Sequence, residues 1–340
     1  MRDFSCPNCG QRLAFENTLC LHCGSPLGFS LPDRALVVLA DEPKPDGDGS
    51  VDTHEFKLCA NQYVAQCNWL VHVGGGPLCL SCNLTRTRPA DQDTDWLEAF
   101  GEAETAKRRL VLELTELGLP LVDRTVDPER GLAFDLLASA DENVITGHAD
   151  GVITVDLAEG DDLHREQLRI EMDEPYRTML GHFRHEIGHY FYPVLVATAE
   201  DRARCLEVFG DPDADYQAAL DRHYNEGPPP GWESDYVSSY ATMHPAEDWA
   251  ETFAHYLHIR DTLDTAAAFG MAPAGATLDS PAPGPAGFDR IIDLWLPLVW
   301  ALNMMNRSIG HRDPYPFVLA DPVLGKMRVI HELCAAAARG

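Results

Sequence analysis

The chain has 340 residues, of which 45% are hydrophobic, so it can bury a substantial core and a disordered class is excluded. Its formal charge of −28 disfavours binding to nucleic acid or to an anionic membrane. The longest apolar run, at 294–305, is shorter than the ~18 residues of a membrane span and contains Pro297, which predicts a buried helix. Because the first residues, MRDFSCPNCG, lack the apolar segment of a secretory signal, we expect a cytoplasmic protein.

Eight of the ten cysteines lie within the first 82 residues, and the first four of those form two Cys-x-x-Cys pairs. The two pairs are separated by ten residues and comprise Cys6, Cys9, Cys20 and Cys23. This spacing predicts a zinc ribbon in which four thiolates bind one tetrahedral zinc ion. Four protein ligands leave no open position for water, so we expect this zinc to stabilise the fold and not to catalyse a reaction.

A second set of cysteines follows with less regular spacing, and it comprises Cys59, Cys67, Cys79 and Cys82. We expect it to bind a second structural zinc, with His72 as a possible substitute ligand and an ordinary exposed histidine as the simpler interpretation. Residues 1–90 would then form a tandem zinc-ribbon-like region, with its first site at 6–23, its second at 59–82 and a linker at 41–50. The region has no basic patch for nucleic acid, so a protein partner is the better expectation for its surface.

The composition changes after residue 90, which predicts a second domain over 91–340 with an α+β fold that is mainly helical with a small edge sheet. The spacing of apolar residues predicts a helix soon after residue 90 and two helices near the carboxyl end. Alternation predicts strands at 133–139 and 151–159, and the second could pair with an extended substrate at the edge of a cleft. The Ala/Pro/Gly-rich residues 264–287 predict a flexible excursion of unassigned role.

The motif HEIGH places His185 and His189 four residues apart, on one face of a predicted helix bounded by Pro175 and Pro193. Two imidazoles in this arrangement can bind one metal ion. Glu186 lies about 100° round the helix from His185, where it can reach a water molecule on the metal without being a ligand. The motif alone is only a hypothesis, because a His-Glu-x-x-His pattern also occurs by chance.

The third metal ligand distinguishes the classes of zinc hydrolase. The extended metzincin motif requires glycine at position 192 and histidine at 195, but the residues are Tyr192 and Leu195, so that class is excluded. A second predicted helix, at 243–260, carries Glu247 and Glu251 on one face. We expect Glu247 to be the third zinc ligand and Glu251 to orient a histidine, with a solvated surface pair as the alternative.

HEIGH followed by a Glu-x-x-x-Glu helix resembles the gluzincin metallopeptidases, and the whole chain resembles a bacterial family of zinc-binding metallopeptidases with an amino-terminal zinc ribbon. The segments that carry the resemblance are CPNCGQRLAFENTLCLHCGSPLGF, CNWLV, GHADGVITVDLAE, EPYRTMLGHFRHEIGHYF, HPAEDWAETFAHYLHI and LNMMNRSIGHRDPYPFVL.

This resemblance implies that His185, His189 and Glu247 bind the catalytic zinc and that Glu186 is the general base. It also implies that Tyr240, seven residues before Glu247, stabilises the oxyanion, although a packing or substrate-binding role is nearly as well supported. Glu251 stands where many gluzincins have aspartate.

The expected reaction is hydrolysis of a peptide or protein substrate by water whose pKa zinc lowers from ~16 towards 7. Glu186 would take the proton from this water and deliver it to the leaving amine. One catalytic and two structural zinc ions are therefore expected. Two alternatives stay open: an adaptor with a non-catalytic HEIGH site, and an amidase that acts on a non-protein substrate. Glu186 argues against the adaptor, because a structural zinc site needs no glutamate beside its ligand.

Overall fold

A computed structural model describes residues 2–39, 55–138, 144, 146–160, 178–271 and 285–339 of the chain. The fold is α+β, as predicted: an amino-terminal region of short strands and cysteine clusters precedes a mainly helical region with a small sheet. In the described residues, none of the helices combines the length and the apolar character that a membrane crossing requires.

The amino-terminal region is built from three antiparallel pairs of strands and one short helix. The elements are β1 (Phe4–Ser5), β2 (Arg12–Leu13), β3 (Leu27–Ser30), β4 (Ala35–Val38), β5 (Phe56–Leu58), β6 (Leu70–His72) and α1 (Leu80–Asn83). Each strand pairs with the next one along the chain, as β1 with β2, β3 with β4 and β5 with β6. The linker predicted at 41–50 lies outside the described residues.

The second region contains one four-stranded sheet with the order β7-β8-β10-β9. Its strands are β7 (Thr85–Thr87), β8 (Ala133–Leu137), β9 (Gly147–Ala149) and β10 (Val152–Asp156). β8 is parallel to β7 and to β10, whereas β9 is antiparallel to β10. β8 and β10 confirm the two strands predicted from alternation.

The second of these strands was expected to lie at the edge of a cleft. This expectation is wrong, because β9 pairs with the side of β10 that was expected to be free. Asp150 and Gly151 both have positive φ angles, 48° and 81°, and form the tight turn between the two strands. A Cβ atom at Gly151 would lie 2.3 Å from the Arg130 carbonyl oxygen, so the turn requires glycine here. Within the described residues, β9 is therefore the edge strand.

Seven longer helices complete the structure within the described residues. They are α2 (Thr94–Glu116), α3 (Met179–Leu195), α4 (Ala199–Phe209), α5 (Tyr216–Glu226), α6 (Pro245–Ala268), α7 (Pro285–Ser308) and α8 (Asp321–Ala337). α7 and α8 confirm the two predicted carboxy-terminal helices. α2 joins the two regions, because its buried Arg108 donates hydrogen bonds to the carbonyl oxygens of Ala65 and Gln66, at 2.9 and 3.1 Å.

Several predicted helix ends are wrong. α3 begins at Met179 with Thr178 as its N-cap, while Pro175 lies outside the described residues. Pro193 lies inside the last turn of α3, since a proline removes one hydrogen-bond donor but still lets that turn finish at Leu195. α6 begins at Pro245 as predicted but extends to Ala268, and α7 begins at Pro285, so both ends of the predicted excursion at 264–287 are helical.

The apolar run at 294–305 does form a helix, as predicted, but the expectation that the helix is buried is wrong for one of its faces. Trp295 and Leu298 are buried, whereas Leu296 and Trp300 on the opposite side are 50% and 67% exposed. The helix packs against α6 and α8 and leaves its other side uncovered by the described residues.

The metal site is positioned by close packing of α3 on α6, the most extensive helix contact in the structure. A Cβ atom at Gly188 would lie 3.0 Å from Ala250 Cα, so glycine lets the backbones of α3 and α6 approach each other closely at this position. Trp249 Nε1 donates a hydrogen bond of 2.8 Å to the Gly188 carbonyl oxygen. The carboxylates of α6 therefore lie opposite the histidines of α3.

Candidate metal centres

The first cysteine cluster lies near the surface. Its ligand atoms lie within 4.8 Å of one another, in the group Cys6, Cys9, Cys20 and Cys23. The Sγ atoms of Cys6 and Cys23 are 3.7 Å apart, and those of Cys9 and Cys20 are 3.6 Å apart. A tetrahedral zinc with Zn–S bonds of ~2.3 Å requires S···S distances of ~3.8 Å, so the cluster has the size of a zinc site and is far too wide for disulfides.

The second cysteine cluster has the same dimensions but is fully buried. It brings together Cys59, Cys67, Cys79 and Cys82. The Sγ atoms of Cys67 and Cys79 are 3.7 Å apart, and the backbone N–H of Cys79 donates to the Cys59 sulfur at 3.4 Å. His72 is exposed on β6, and the four sulfur atoms converge without it. Both clusters thus fit a thiolate-bound zinc.

The third donor cluster joins α3 to α6. Nε2 of His185 lies 3.2 Å from Nε2 of His189 and 3.0 Å from Oε2 of Glu247, and His189 Nε2 lies 3.4 Å from the same oxygen. Tetrahedral bonds of ~2.0–2.1 Å to zinc require donor separations of ~3.3 Å. The triangle of two imidazole nitrogens and one carboxylate oxygen therefore has the dimensions of one face of a zinc coordination tetrahedron.

Glu251 lies behind this triangle and holds one histidine in place. Its Oε1 accepts a 2.7 Å hydrogen bond from His185 Nδ1, which leaves Nε2 directed at the other donors. Its Oε2 accepts a 2.6 Å hydrogen bond from Ser238, whose own oxygen accepts from the Ala241 backbone N–H. Glu251 is therefore a partly buried carboxylate, 20% exposed, with both oxygens hydrogen-bonded, and the alternative of a solvated surface pair with Glu247 does not describe it.

The histidines and carboxylates of the cluster stabilise one another's charged forms. Burial would lower the pKa of His185, but its contacts with Glu247 and Glu251 outweigh burial and hold that pKa well above its ordinary value. Burial would likewise raise the pKa of both carboxyls, yet the histidines lower the pKa of Glu247 below its usual range and that of Glu251 to about 2. The site therefore presents two anionic carboxylates, a charge that suits a divalent cation.

Glu186 differs from both of these carboxylates. It is 8% exposed, and within the described residues its carboxyl group accepts no hydrogen bond. Burial raises its pKa, against the opposing influence of His185 and His189. A carboxylate with a raised pKa and no hydrogen bond to hold it is suited to accept a proton.

Two tyrosines extend the cluster on the side of Glu247. The Tyr216 hydroxyl donates a 3.1 Å hydrogen bond to Glu247 Oε1, and Tyr240 lies close enough to Tyr216 for each to influence the pKa of the other. The rings of Tyr240 and His185 are 5.9 Å apart. Burial, and then the carboxylate of Glu247, raises the pKa of Tyr240, so its hydroxyl keeps its proton at neutral pH.

Sequence reasoning missed three residues around the site: Tyr216, Ser238 and His148. Tyr216 and Ser238 lie 31 and 13 residues from their partners Glu247 and Glu251, so no spacing rule connects them. His148 lies on β9, and its ring stacks against that of His189 with centroids 6.4 Å apart. The histidine in GHADG next to the strand signal could have drawn attention, but only the β9-β10 turn brings it to the metal site.

His244 is the N-cap of α6. Its Nδ1 accepts a hydrogen bond from the Ala246 backbone N–H at 3.1 Å, and its Nε2 donates to the Ala214 carbonyl oxygen at the same distance. His244 thereby connects the start of α6 to the loop before α5. This contact positions Tyr216 next to Glu247.

Comparisons with known proteins agree with this chemistry. Residues 96–333 match the model of a family described as "Putative zinc-binding metallo-peptidase", and residues 3–93 match a zinc-ribbon domain. The chain belongs to this metallopeptidase family. The match confirms the resemblance drawn from the sequence motifs, while the predicted division near residue 90 stays a prediction.

Relatives of similar length occur in mycobacteria. The chain is 64% identical over 335 residues to uncharacterized protein Rv2568c of Mycobacterium tuberculosis (strain ATCC 25618 / H37Rv), a match that covers 97% of this chain and 94% of the relative. The same values hold for uncharacterized protein Mb2598c of Mycobacterium bovis (strain ATCC BAA-935 / AF2122/97). No solved structure matches the chain.

Proposed function

We propose that the chain is a zinc-dependent metallopeptidase of the gluzincin type, in which His185, His189 and Glu247 bind the catalytic zinc. The observation that carries this proposal is the convergence of their three donor atoms, at 3.0–3.4 Å, beside a buried glutamate that accepts no hydrogen bond from the described residues. Three protein donors leave a fourth position open, which is the arrangement of catalytic zinc sites. The family membership supports zinc binding and peptidase chemistry at a coarser level.

The ion and the protein divide the chemistry. When bound, zinc supplies a Lewis acid that polarises the scissile carbonyl and makes water a stronger acid. Glu186 accepts a proton from the attacking water and then donates it to the leaving amine. Burial raises its pKa, which makes Glu186 a stronger base for the first step than an exposed glutamate.

Glu251 and the tyrosines have supporting roles in this proposal. Glu251 holds His185 in the tautomer that leaves Nε2 free for the metal. Tyr240, protonated at neutral pH, donates a hydrogen bond to the oxygen on which negative charge develops. Tyr216 keeps Glu247 oriented through its second carboxylate oxygen.

An extended peptide is the substrate class that the sheet supports best. β9 pairs only with β10 among the described residues, so its outer edge offers backbone donors and acceptors to an added strand. His148 on β9 lies next to His189 and thus connects this edge to the metal site. We propose that substrate backbone binds along β9, in place of the 151–159 strand expected from the sequence.

The two cysteine clusters complete the proposed metal content. Each has four sulfur donors and no further acid or base among its ligand atoms. We propose that each holds one structural zinc, so the folded protein would contain three zinc ions, two structural and one catalytic.

The test combines zinc content with cleavage of a diverse peptide library, for the wild type and Glu186→Gln. We expect Glu186→Gln to retain all zinc and to lose ~10²- to 10⁴-fold in kcat, the contribution of a general base. Glu207→Gln is the matched control, since it makes the same change at an exposed position of α4 and should leave the rate unaltered.

Replacing both His185 and His189 by alanine locates the metal. This variant should lose one zinc per chain and keep the zinc of the cysteine clusters. Unchanged zinc content would remove the metal from the HEIGH site and end the proposed mechanism. If the variant loses one zinc but the wild type cleaves no library member, the result would contradict the peptidase and favour a non-peptide amide as substrate.

A further inference from the structure

The exposed side of α7 is an apolar surface whose function no part of the metal chemistry explains. Five of its residues share one side of the helix and form a continuous stripe: Leu296, Pro297, Trp300, Ala301 and Met304. Trp300 is 67% exposed, and Leu296 is 50% exposed. Single exposed apolar residues are common on protein surfaces, but a continuous stripe centred on a tryptophan is typical of an interaction surface.

The charged residues at the two ends of the stripe have opposite sign and are placed symmetrically. Asp293 and Arg307 are both exposed, and they lie seven residues before and seven residues after Trp300. On a helix all three project from nearly the same side, since seven residues correspond to almost two full turns. The distance between the charged ends is about 21 Å at 1.5 Å per residue.

This symmetric placement of charges indicates that a second copy of α7 can pack against the stripe. If two copies of α7 pack antiparallel and cross at Trp300, Asp293 of each copy faces Arg307 of the other, and the two apolar stripes cover one another. A parallel arrangement would instead place equal charges together. We propose that the protein forms a twofold-symmetric dimer through antiparallel packing of α7 against a second copy of itself.

The hydrogen bonds of the end residues are compatible with this partner. Arg307 uses Nε and Nη2 to bind Asp313 of its own chain, both at 2.6 Å, so the Nη1 donors remain for a second carboxylate. Asp293 makes no ion pair within the part of the chain that the structure describes. Dimerisation would therefore provide a partner for Asp293 without breaking the Arg307–Asp313 pair.

The size of the stripe indicates a weak, reversible dimer. One pair of helices in contact over about 21 Å buries less surface than the ~1,200–2,000 Å² of a standard stable interface. The formal charge of −28 on each chain also opposes association at long range. The main contacts of α7 are with α6 and α8, on the side opposite the stripe, and the stripe contains none of the residues of the proposed active site.

Sedimentation velocity over a wide concentration range, with the zinc-loaded full chain at ~0.15 M ionic strength, tests the proposal. We expect a concentration-dependent dimer for the wild type and a monomer for Trp300→Glu. Asp293→Arg and Arg307→Asp should each weaken the dimer by roughly tenfold, because each removes two ion pairs and creates two like-charge contacts. The double reversal restores both pairs between the copies and should dimerise more tightly than either single variant, although it still lacks the Arg307–Asp313 bond within each chain.

A matched pair of leucines controls for a general effect of surface charge. Leu296→Glu should abolish the dimer, while Leu206→Glu on α4, where the leucine is also 50% exposed, should not. Circular dichroism and zinc content verify that each variant is folded. A wild type that stays monomeric, or a dimer that survives Trp300→Glu, would overturn the proposal. Failure of the double reversal to recover association would overturn the antiparallel arrangement.

Discussion

The cysteine clusters and the histidine-glutamate cluster are both built to the dimensions of a zinc site, but they differ in two respects. Each cysteine cluster has four donors, whereas the cluster between α3 and α6 has three. Only the latter has a buried carboxylate, Glu186, that lacks a hydrogen-bond partner within the described residues. A closed set of donors can stabilise a fold, while an open set with an available base can perform hydrolysis. The number of donors and the presence of Glu186 therefore distinguish a structural site from the proposed catalytic one.

The largest expected effect is a loss of folding stability, and it should differ between the two cysteine clusters. Cys79→Ser disrupts the buried cluster that packs in the main core, so we expect general unfolding, because structural zinc contributes ~10–16 kcal/mol to folding in isolated fingers. Cys9→Ser disrupts the exposed cluster, whose core is small, and should unfold only the region around β1 and β2. Thermal denaturation followed by circular dichroism distinguishes these results.

Cys205→Ser is the control for the loss of a buried thiol, since Cys205 is 1% exposed and belongs to neither cluster. It should cost far less stability than Cys79→Ser and release no zinc. Equal melting temperatures for Cys9→Ser and Cys79→Ser would contradict the unequal importance of the two clusters.

The next effect concerns the open site. Tyr240→Phe removes the hydroxyl proposed to stabilise the oxyanion, and we expect kcat to fall ~10²- to 10³-fold with unchanged zinc content. The comparison of kcat and zinc content in one preparation is decisive, because a residue that only supports the ligands would lower both together. A rate within about twofold of the wild type would assign Tyr240 to packing.

Glu251→Gln should have a smaller effect, and on a different quantity. The amide oxygen can still accept the hydrogen bond from His185, but the negative charge that favours the metal-binding histidine is lost. We expect zinc affinity at the open site to fall ~10- to 100-fold, measured by competition with a chelator. The cysteine clusters in the same molecule provide the internal control, because they should keep their zinc at the same chelator concentration.

The chemistry of the site was predictable because its ligands follow helical spacing. His185 and His189 share a face of α3, and Glu247 and Glu251 share a face of α6, so each pair could be identified from the sequence. The sheet was less predictable. The turn at Asp150 and Gly151 folds β9 along β10 and displaces the expected edge strand, and this effect depends on backbone angles that an alternating pattern does not contain.

The ends of the helices and the environment of α7 were harder still. The apolar run at 294–305 predicts a helix correctly, but composition alone cannot distinguish a helix that is buried all round from one with an apolar face left exposed. That difference arises from the packing of α6 and α8, the helices before and after α7, on one side of α7 only.

The contact of Tyr216 with Glu247 was also not predictable, since it depends on the position of α5. Removing this contact should have the smallest effect of the substitutions considered. Tyr216→Phe leaves Glu247 Oε1 without its hydrogen bond, which is worth ~1 kcal/mol, so zinc affinity should fall roughly fivefold. Tyr224→Phe, on the same helix and 65% exposed, should change nothing. Because Tyr240 and Tyr216 lie beside each other at the site, the two tyrosines could exchange roles. A large loss of kcat in Tyr216→Phe, with full zinc and an active Tyr240→Phe, would assign the oxyanion contact to Tyr216.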